Sequence, residues 1–102
     1  MKVVYSDLKN KRVFISGGGS GIGATIVEHF CEQKSEVYFI DIDLKSSKKL
    51  IKKIKKKGYR VPKFIECNIL DVKKLQNIIK DIISKKGAIH CLINSAANDD
   101  RH

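Results

Sequence analysis

Phe14-Ile15-Ser16-Gly17-Gly18-Gly19-Ser20-Gly21-Ile22-Gly23 is an apolar run that breaks into closely spaced glycines and then takes up a helical period. A strand ending this way lets the backbone turn tightly, brings amide N–H groups close to a pyrophosphate and aims the positive end of the next helix at it. The glycines parse in two ways, as Gly17-x-x-x-Gly21-x-Gly23 or as Gly19-x-Gly21-x-x-Ala24 in the general dinucleotide fingerprint. Either match alone describes a flexible turn equally well. Its setting, after a strand and opening a helix, is what the fingerprint requires.

Outward from this loop, β-type apolar runs alternate with segments of helical period, the pattern of βαβ units and a parallel sheet. Strands are expected at Arg12 to Ser16, Glu36 to Ile40, Val61 to Cys67 and Ile89 to Asn94. Ile22, Ile26, Val27 and Phe30 share one face of a helix from about Gly21 to Gln33. A second helix carries Leu44, Leu50, Ile51 and Ile54 and stops at Gly58, and a third, N-capped by Asp71, carries Val72, Leu75, Ile78, Ile79, Ile82 and Ile83 before Gly87. Right-handed crossovers put the first two helices on one face of the sheet and the third on the other. The expected fold is α/β: a Rossmann-type doubly wound parallel sheet of order 3-2-1-4, truncated after its fourth strand. Residues 1–102 then form a single dinucleotide-binding, half-Rossmann domain. The fourth strand, left at the edge, offers unpaired backbone for self-association or for a completing chain.

The chain has 102 residues and a formal charge of +10. No run approaches the roughly 18 apolar residues of a membrane span, and the N-terminus lacks a signal-peptide core, so a cytoplasmic location is expected. Cys31, Cys67 and Cys91 lie far apart without metal-ligand spacing and are expected as small buried side chains. Nucleic-acid binding is disfavoured despite the charge. Arg occurs only at positions 12, 60 and 101, and the lysines crowd between Lys45 and Lys57 without interleaved aromatics, which describes a solvated helix face.

The second strand delivers Asp41 at its C-terminal end, 24 positions after Gly17. That is near the roughly 20-residue spacing of an acid that accepts hydrogen bonds from an adenosine ribose. A carboxylate there suits two free hydroxyls and repels a 2′-phosphate, which favours NAD over NADP. The plainer alternative is a turn aspartate, a role Asp43 could fill equally.

Four features in the right order resemble the N-terminal half of the short-chain dehydrogenase/reductase family. They are Ser16 with Gly17-x-x-x-Gly21-Ile22-Gly23, Asp41, Cys67-Asn68-Ile69 after the third strand, and Asn94-Ser95-Ala96-Ala97 after the fourth. The resemblance implies that Gly17, Ser20, Gly21, Ile22 and Gly23 surround the pyrophosphate of NAD and that Asp41 holds the ribose. It puts Asn68 and Ile69 beside the adenine, where the family has Asp-Val, so that an uncharged amide replaces a carboxylate. It puts Asn94 and Ala96 toward the nicotinamide side, with Ser95 and Ala97 replacing the Asn and Gly of the family's Asn-Asn-Ala-Gly. The terminal Asn94-Ser95-Ala96-Ala97-Asn98-Asp99-Asp100-Arg101-His102 is similar to a segment of bacterial aldose 1-dehydrogenases, which implies a sugar substrate for a complete parent enzyme.

The family's chemistry uses a Ser and a Tyr-x-x-x-Lys pair beyond the fourth strand, so no catalytic residue is assigned. Tyr59 to Lys63 contains Pro62 and leads into a strand, so no helix aligns the pair. Tyr5 to Lys9 precedes the first strand, at the wrong end of the sheet. His29 and His90 read as surface or structural residues. The expectation is a truncated NAD-dependent oxidoreductase, inactive alone. The alternatives are a non-catalytic NAD-binding or interaction module completed by another chain, and a basic nucleic-acid binder.

Overall fold

A computed structural model describes residues 6–95. After a short 3-10 turn at Ser6–Leu8 come β1 (Arg12–Ser16), α1 (Gly21–Glu32), β2 (Glu36–Asp41), α2 (Leu44–Lys57), β3 (Lys63–Glu66), α3 (Val72–Lys86) and β4 (Cys91–Asn94). The strands form one parallel sheet in the expected order β3-β2-β1-β4. Phe14 pairs in register with Tyr38 on one side and Leu92 on the other.

The central strands are continuously apolar because both sheet faces are covered. On one face Val13, Ile15, Val37 and Phe39 pack with Val27 and Cys31 of α1 and Leu50 and Ile54 of α2. On the other, Phe14, Tyr38 and Ile40 pack with Ile82 of α3. The lysines of α2 stand in water opposite Leu50 and Ile54, as its amphipathic spacing dictates. Asp43 caps α2 by accepting from the Ser46 amide, and Gly58 ends it with φ +78°. Asp71 caps α3 through the Lys74 amide.

Three expectations change in detail. Strand β3 is shorter than Val61 to Cys67, because Pro62 has no N–H to give a ladder. Strand β4 begins at Cys91 and not Ile89, because the Arg12 amide donates to the imidazole Nδ1 of His90 at 2.8 Å in place of a strand carbonyl. The apolar stripe of α3 is only partly covered. Ile82 is buried and Leu75, Ile78 and Ile79 pack against the sheet, but Val72 and Ile83 face solvent, as does Leu92 of β4. Cys31 and Cys67 are buried as expected, and Cys91 is half-buried.

Candidate dinucleotide site at the strand C-termini

The C-terminal ends of the strands enclose a cleft of about 440 Å³. Its floor is the turn between β1 and α1, whose backbone is built by glycine. Gly17 has φ +73° and Gly21 φ +57°, both in the left-handed region that other residues avoid. Gly23 meets a different demand: a Cβ there would lie 1.9 Å from the Gly17 carbonyl oxygen, so only hydrogen lets α1 start this close to the turn. The parsing Gly17-x-x-x-Gly21-x-Gly23 therefore describes the geometry. The turn is anchored to β2, since the amides of Gly17 and Gly18 both donate to the Ile40 carbonyl, at 2.8 and 3.2 Å.

Two helix N-termini in the fold are closed by aspartates, and the carboxyl of Asp43 is held below its usual range by the Ser46 amide and then its hydroxyl. The N-terminus of α1 is different. Ser20 stands at its N-cap in extended conformation, and its side chain makes no capping hydrogen bond. The first residues of α1, Gly21, Ile22 and Gly23, line the cleft together with Gly17 and Ser20. Uncapped amides and the positive end of the helix dipole together make an anion site.

Asp41 lies against this turn and also lines the cleft. Its Oδ2 accepts from the Gly19 amide at 2.9 Å, and its Oδ1 from the Asp43 amide at 2.8 Å. Each oxygen retains acceptor capacity for a further donor. Asp43 is the helix cap, whereas Asp41 lines the cleft and also closes a turn through its i to i+2 bond to the Asp43 amide.

The remaining wall comes from Asn68 and Ile69 after β3. The Oδ1 of Asn68 accepts from the Leu70 amide at 2.9 Å, an Asx turn, and its carbonyl accepts from Asp71. With its oxygen holding the turn, its amide NH2 is free to donate to a ligand. Exposed Ile42 and half-buried Ile69 supply apolar surface.

Asn94 does not line the cleft. Its Oδ1 instead accepts from the Ser16 hydroxyl at 2.7 Å, tying the end of β4 to the end of β1. Ala96 lies outside the described residues. Ile40, Ile42, Cys67 and Ser95 line the cleft without having been assigned a cofactor contact from sequence. Their common sequence signal was position: each flanks a strand end already assigned to the site. Ser95 is buried, and its amide donates to the Ser16 carbonyl at 3.0 Å. Burial pushes the Cys67 thiol up, which leaves it a neutral apolar wall.

Among the described residues there is no cluster of His, Cys, Asp or Glu able to hold a metal ion, and no helix long and apolar enough to cross a membrane. Tyr59 and Lys63 are separated by irregular backbone, with Lys63 in β3, so they form no helical pair. Tyr5 lies outside the described residues. His29 lies on α1, edge-on to the ring of Phe30.

Comparison with known proteins fits this geometry. The chain is 37% identical over 97 residues to a protein assigned as a galactose dehydrogenase in Rhizobium meliloti, and 37% identical over 100 residues to a D-xylose 1-dehydrogenase of Caulobacter vibrioides. These matches cover 95% and 97% of this chain but 38% of each relative, so the chain spans well under half of their length. A Haemophilus influenza protein assigned as a D-mannonate oxidoreductase, solved with bound NAD, superimposes with a TM-score of 0.70 at 21% identity, covering 83% of this chain and 30% of that one. The family model for short chain dehydrogenase matches residues 11–102. With that match over nearly its whole length, the chain belongs to the short chain dehydrogenase family.

Proposed function

We propose that this chain is the NAD-binding portion of an oxidoreductase that moves hydride between a hydroxyl-bearing carbon, in the parent enzyme that of a sugar, and a nicotinamide ring. The observation that carries the reading is the presence of an uncapped helix N-terminus and a carboxylate in the lining of one cleft. In this reading the amides of Gly21, Ile22 and Gly23 bind the pyrophosphate, together with Gly17 and Ser20. Asp41 accepts from the ribose hydroxyls, and its charge repels a 2′-phosphate. Asn68, Ile69 and Ile42 bound the adenine slot. The cofactor supplies the hydride acceptor. The proton from the substrate hydroxyl needs a base, and no residue described here stands ready to take it. This reading expects cofactor binding without turnover.

The sugar assignment draws on the galactose and xylose dehydrogenases to which the chain is similar. A calorimetric titration of the purified chain tests the cofactor reading. NAD should bind more tightly than NADP, and Asp41→Asn should narrow that gap by about tenfold or more, through loss of the like-charge repulsion. Absence of binding to NAD by folded protein overturns the reading. Hydride transfer with galactose or xylose by these residues alone overturns the claim of inactivity.

A second reading is NAD binding in an assembly completed by another chain. It is favoured by β4, which stands at the sheet edge among the described residues with Leu92 64% exposed. Sedimentation separates the two: a monomer that recruits no partner removes its support.

A further inference from the structure

Gly19 is neither left-handed nor part of the glycine pattern that shapes the turn, yet it has no room for a side chain. A Cβ there would stand 2.3 Å from the hydroxyl oxygen of Ser47 and 3.0 Å from both Cγ and Oδ2 of Asp41. Ser47 itself is fully buried in α2, and its Oγ has no hydrogen-bond partner. An unpaired buried hydroxyl is costly, and alanine would fill most of the same volume without that cost. The feature this serine does supply is a hard wall against Cα of residue 19. With hydrogen as the only side chain, the backbone of residue 19 fits between that wall and the Asp41 carboxylate, and its amide reaches Oδ2 at 2.9 Å. The other oxygen is fixed from the opposite side by the Asp43 amide at 2.8 Å.

From this arrangement we infer that Gly19 and Ser47 are positioning residues that seat the Asp41 carboxylate and so set the discrimination between an unphosphorylated and a 2′-phosphorylated ribose. The inference rests on the cofactor reading above and deepens it. A carboxylate on a flexible arm could swing away from an incoming phosphate and lose most of its power to discriminate. Held at both oxygens, it cannot, so the repulsion falls on the wrong ligand in full. Discrimination then depends on residues that need not touch the cofactor.

The test is a double-mutant cycle on the full chain, with NAD and NADP titrated separately and the ratio of their affinities as readout. Gly19→Ala should lower the preference for NAD by about tenfold or more. Adding Ser47→Ala removes the atom at 2.3 Å and should recover most of that preference. A loss of packing alone would weaken both cofactors together and leave the ratio where it was. Unchanged preference in folded Gly19→Ala, or no recovery in the double variant, overturns the inference. Wild-type protein that binds neither cofactor overturns the cofactor reading and this inference with it. Should Gly19→Ala not fold, NMR of the wild type and of Asp41→Asn at neutral pH decides. The Gly19 amide resonance should lie downfield in the wild type, as donor to the Asp41 carboxylate, and move upfield in Asp41→Asn. A Gly19 amide resonance that is the same in both means that the seat does not exist.

Discussion

Replacing Gly23 by alanine sets two physical effects against each other, and the geometry decides which wins. Gly23 lies in the first turn of α1, where alanine is favoured over glycine by about 1 kcal/mol. Against this, the new Cβ would stand 1.9 Å from the Gly17 oxygen, 2.8 Å from the Gly17 carbonyl carbon and 3.0 Å from Gly18 Cα. All three are backbone atoms, so no side chain can rotate aside. The turn must retreat from the helix, at an overpacking cost of about 2 kcal/mol. That retreat pulls the Gly17 and Gly18 amides from the Ile40 carbonyl, and two such hydrogen bonds contribute about 1 kcal/mol each. The balance is a destabilisation of about 3 kcal/mol, which in a domain of this size lowers Tm by about 12–24 °C. Urea unfolding followed by circular dichroism should show a lower midpoint at an unchanged slope. Gly21→Ala is the control: its Cβ meets open space, and only the left-handed φ opposes it, at about 1 kcal/mol. A Gly23→Ala protein that melts at or above the wild type, or above Gly21→Ala, would refute the reasoning.

Other perturbations follow from groups away from the cleft. Burial, then its hydrogen bond to Glu36, pushes the Tyr38 phenol up to about 12 from an ordinary 10.0. The folded chain keeps this proton at pH values where the unfolded chain releases it, so stability falls as pH rises from 10.0 toward about 12. Tyr38→Phe should flatten that alkaline loss while removing one hydrogen bond, about 1 kcal/mol at neutral pH, as read by urea midpoints across the range. Burial raises the Cys31 thiol to about 12, so a thiol reagent at neutral pH should label half-buried Cys91 well before Cys31; labelling in the reverse order counts against the core assignment. The carboxyl of Glu28 is held below its ordinary 4.5 chiefly by the Lys57 ammonium, with Lys53 adding to it. Its contribution is present above 4.5 and lost as pH falls through the lowered folded value. Glu28→Gln should therefore reduce acid sensitivity, by a small margin because these lysines stand in water.

The sequence disclosed those parts of the molecule that local chemistry dictates. An apolar run meeting a glycine cluster specifies β1, the turn and α1 together, and the alternation that follows specifies a parallel sheet with helices on its faces. Asp41 was legible from its distance along the chain, and Asp71 and Gly58 from their capping chemistry. What stayed hidden depends on meetings between distant residues. Nothing local says that Asn94 turns to the hydroxyl of Ser16 or that His90 replaces a strand carbonyl. Ser47 was equally silent, since a serine in a lysine-rich helix reads as solvent-facing until α2 is docked against the turn. The exposed Val72 and Ile83 show the same limit in reverse. Periodicity defines an apolar stripe, but how much of it is covered depends on what lies across from it.

The position of β1 at the centre of the sheet has a consequence for how the chain assembles. Its pairing with β2 joins residues 24 apart, from Arg12 with Glu36 to Ser16 with Ile40, whereas its pairing with β4 joins Val13 to Cys91 and Ser16 to Asn94. Contacts so remote in sequence form late and set the pace of folding. During synthesis β1, α1 and β2 can condense on the ribosome well before β4 emerges, so the glycine turn takes shape while one flank of its strand still lacks a neighbour. The side of the cleft nearest Asp41 is therefore expected to mature first, and the side nearest Ser95 last.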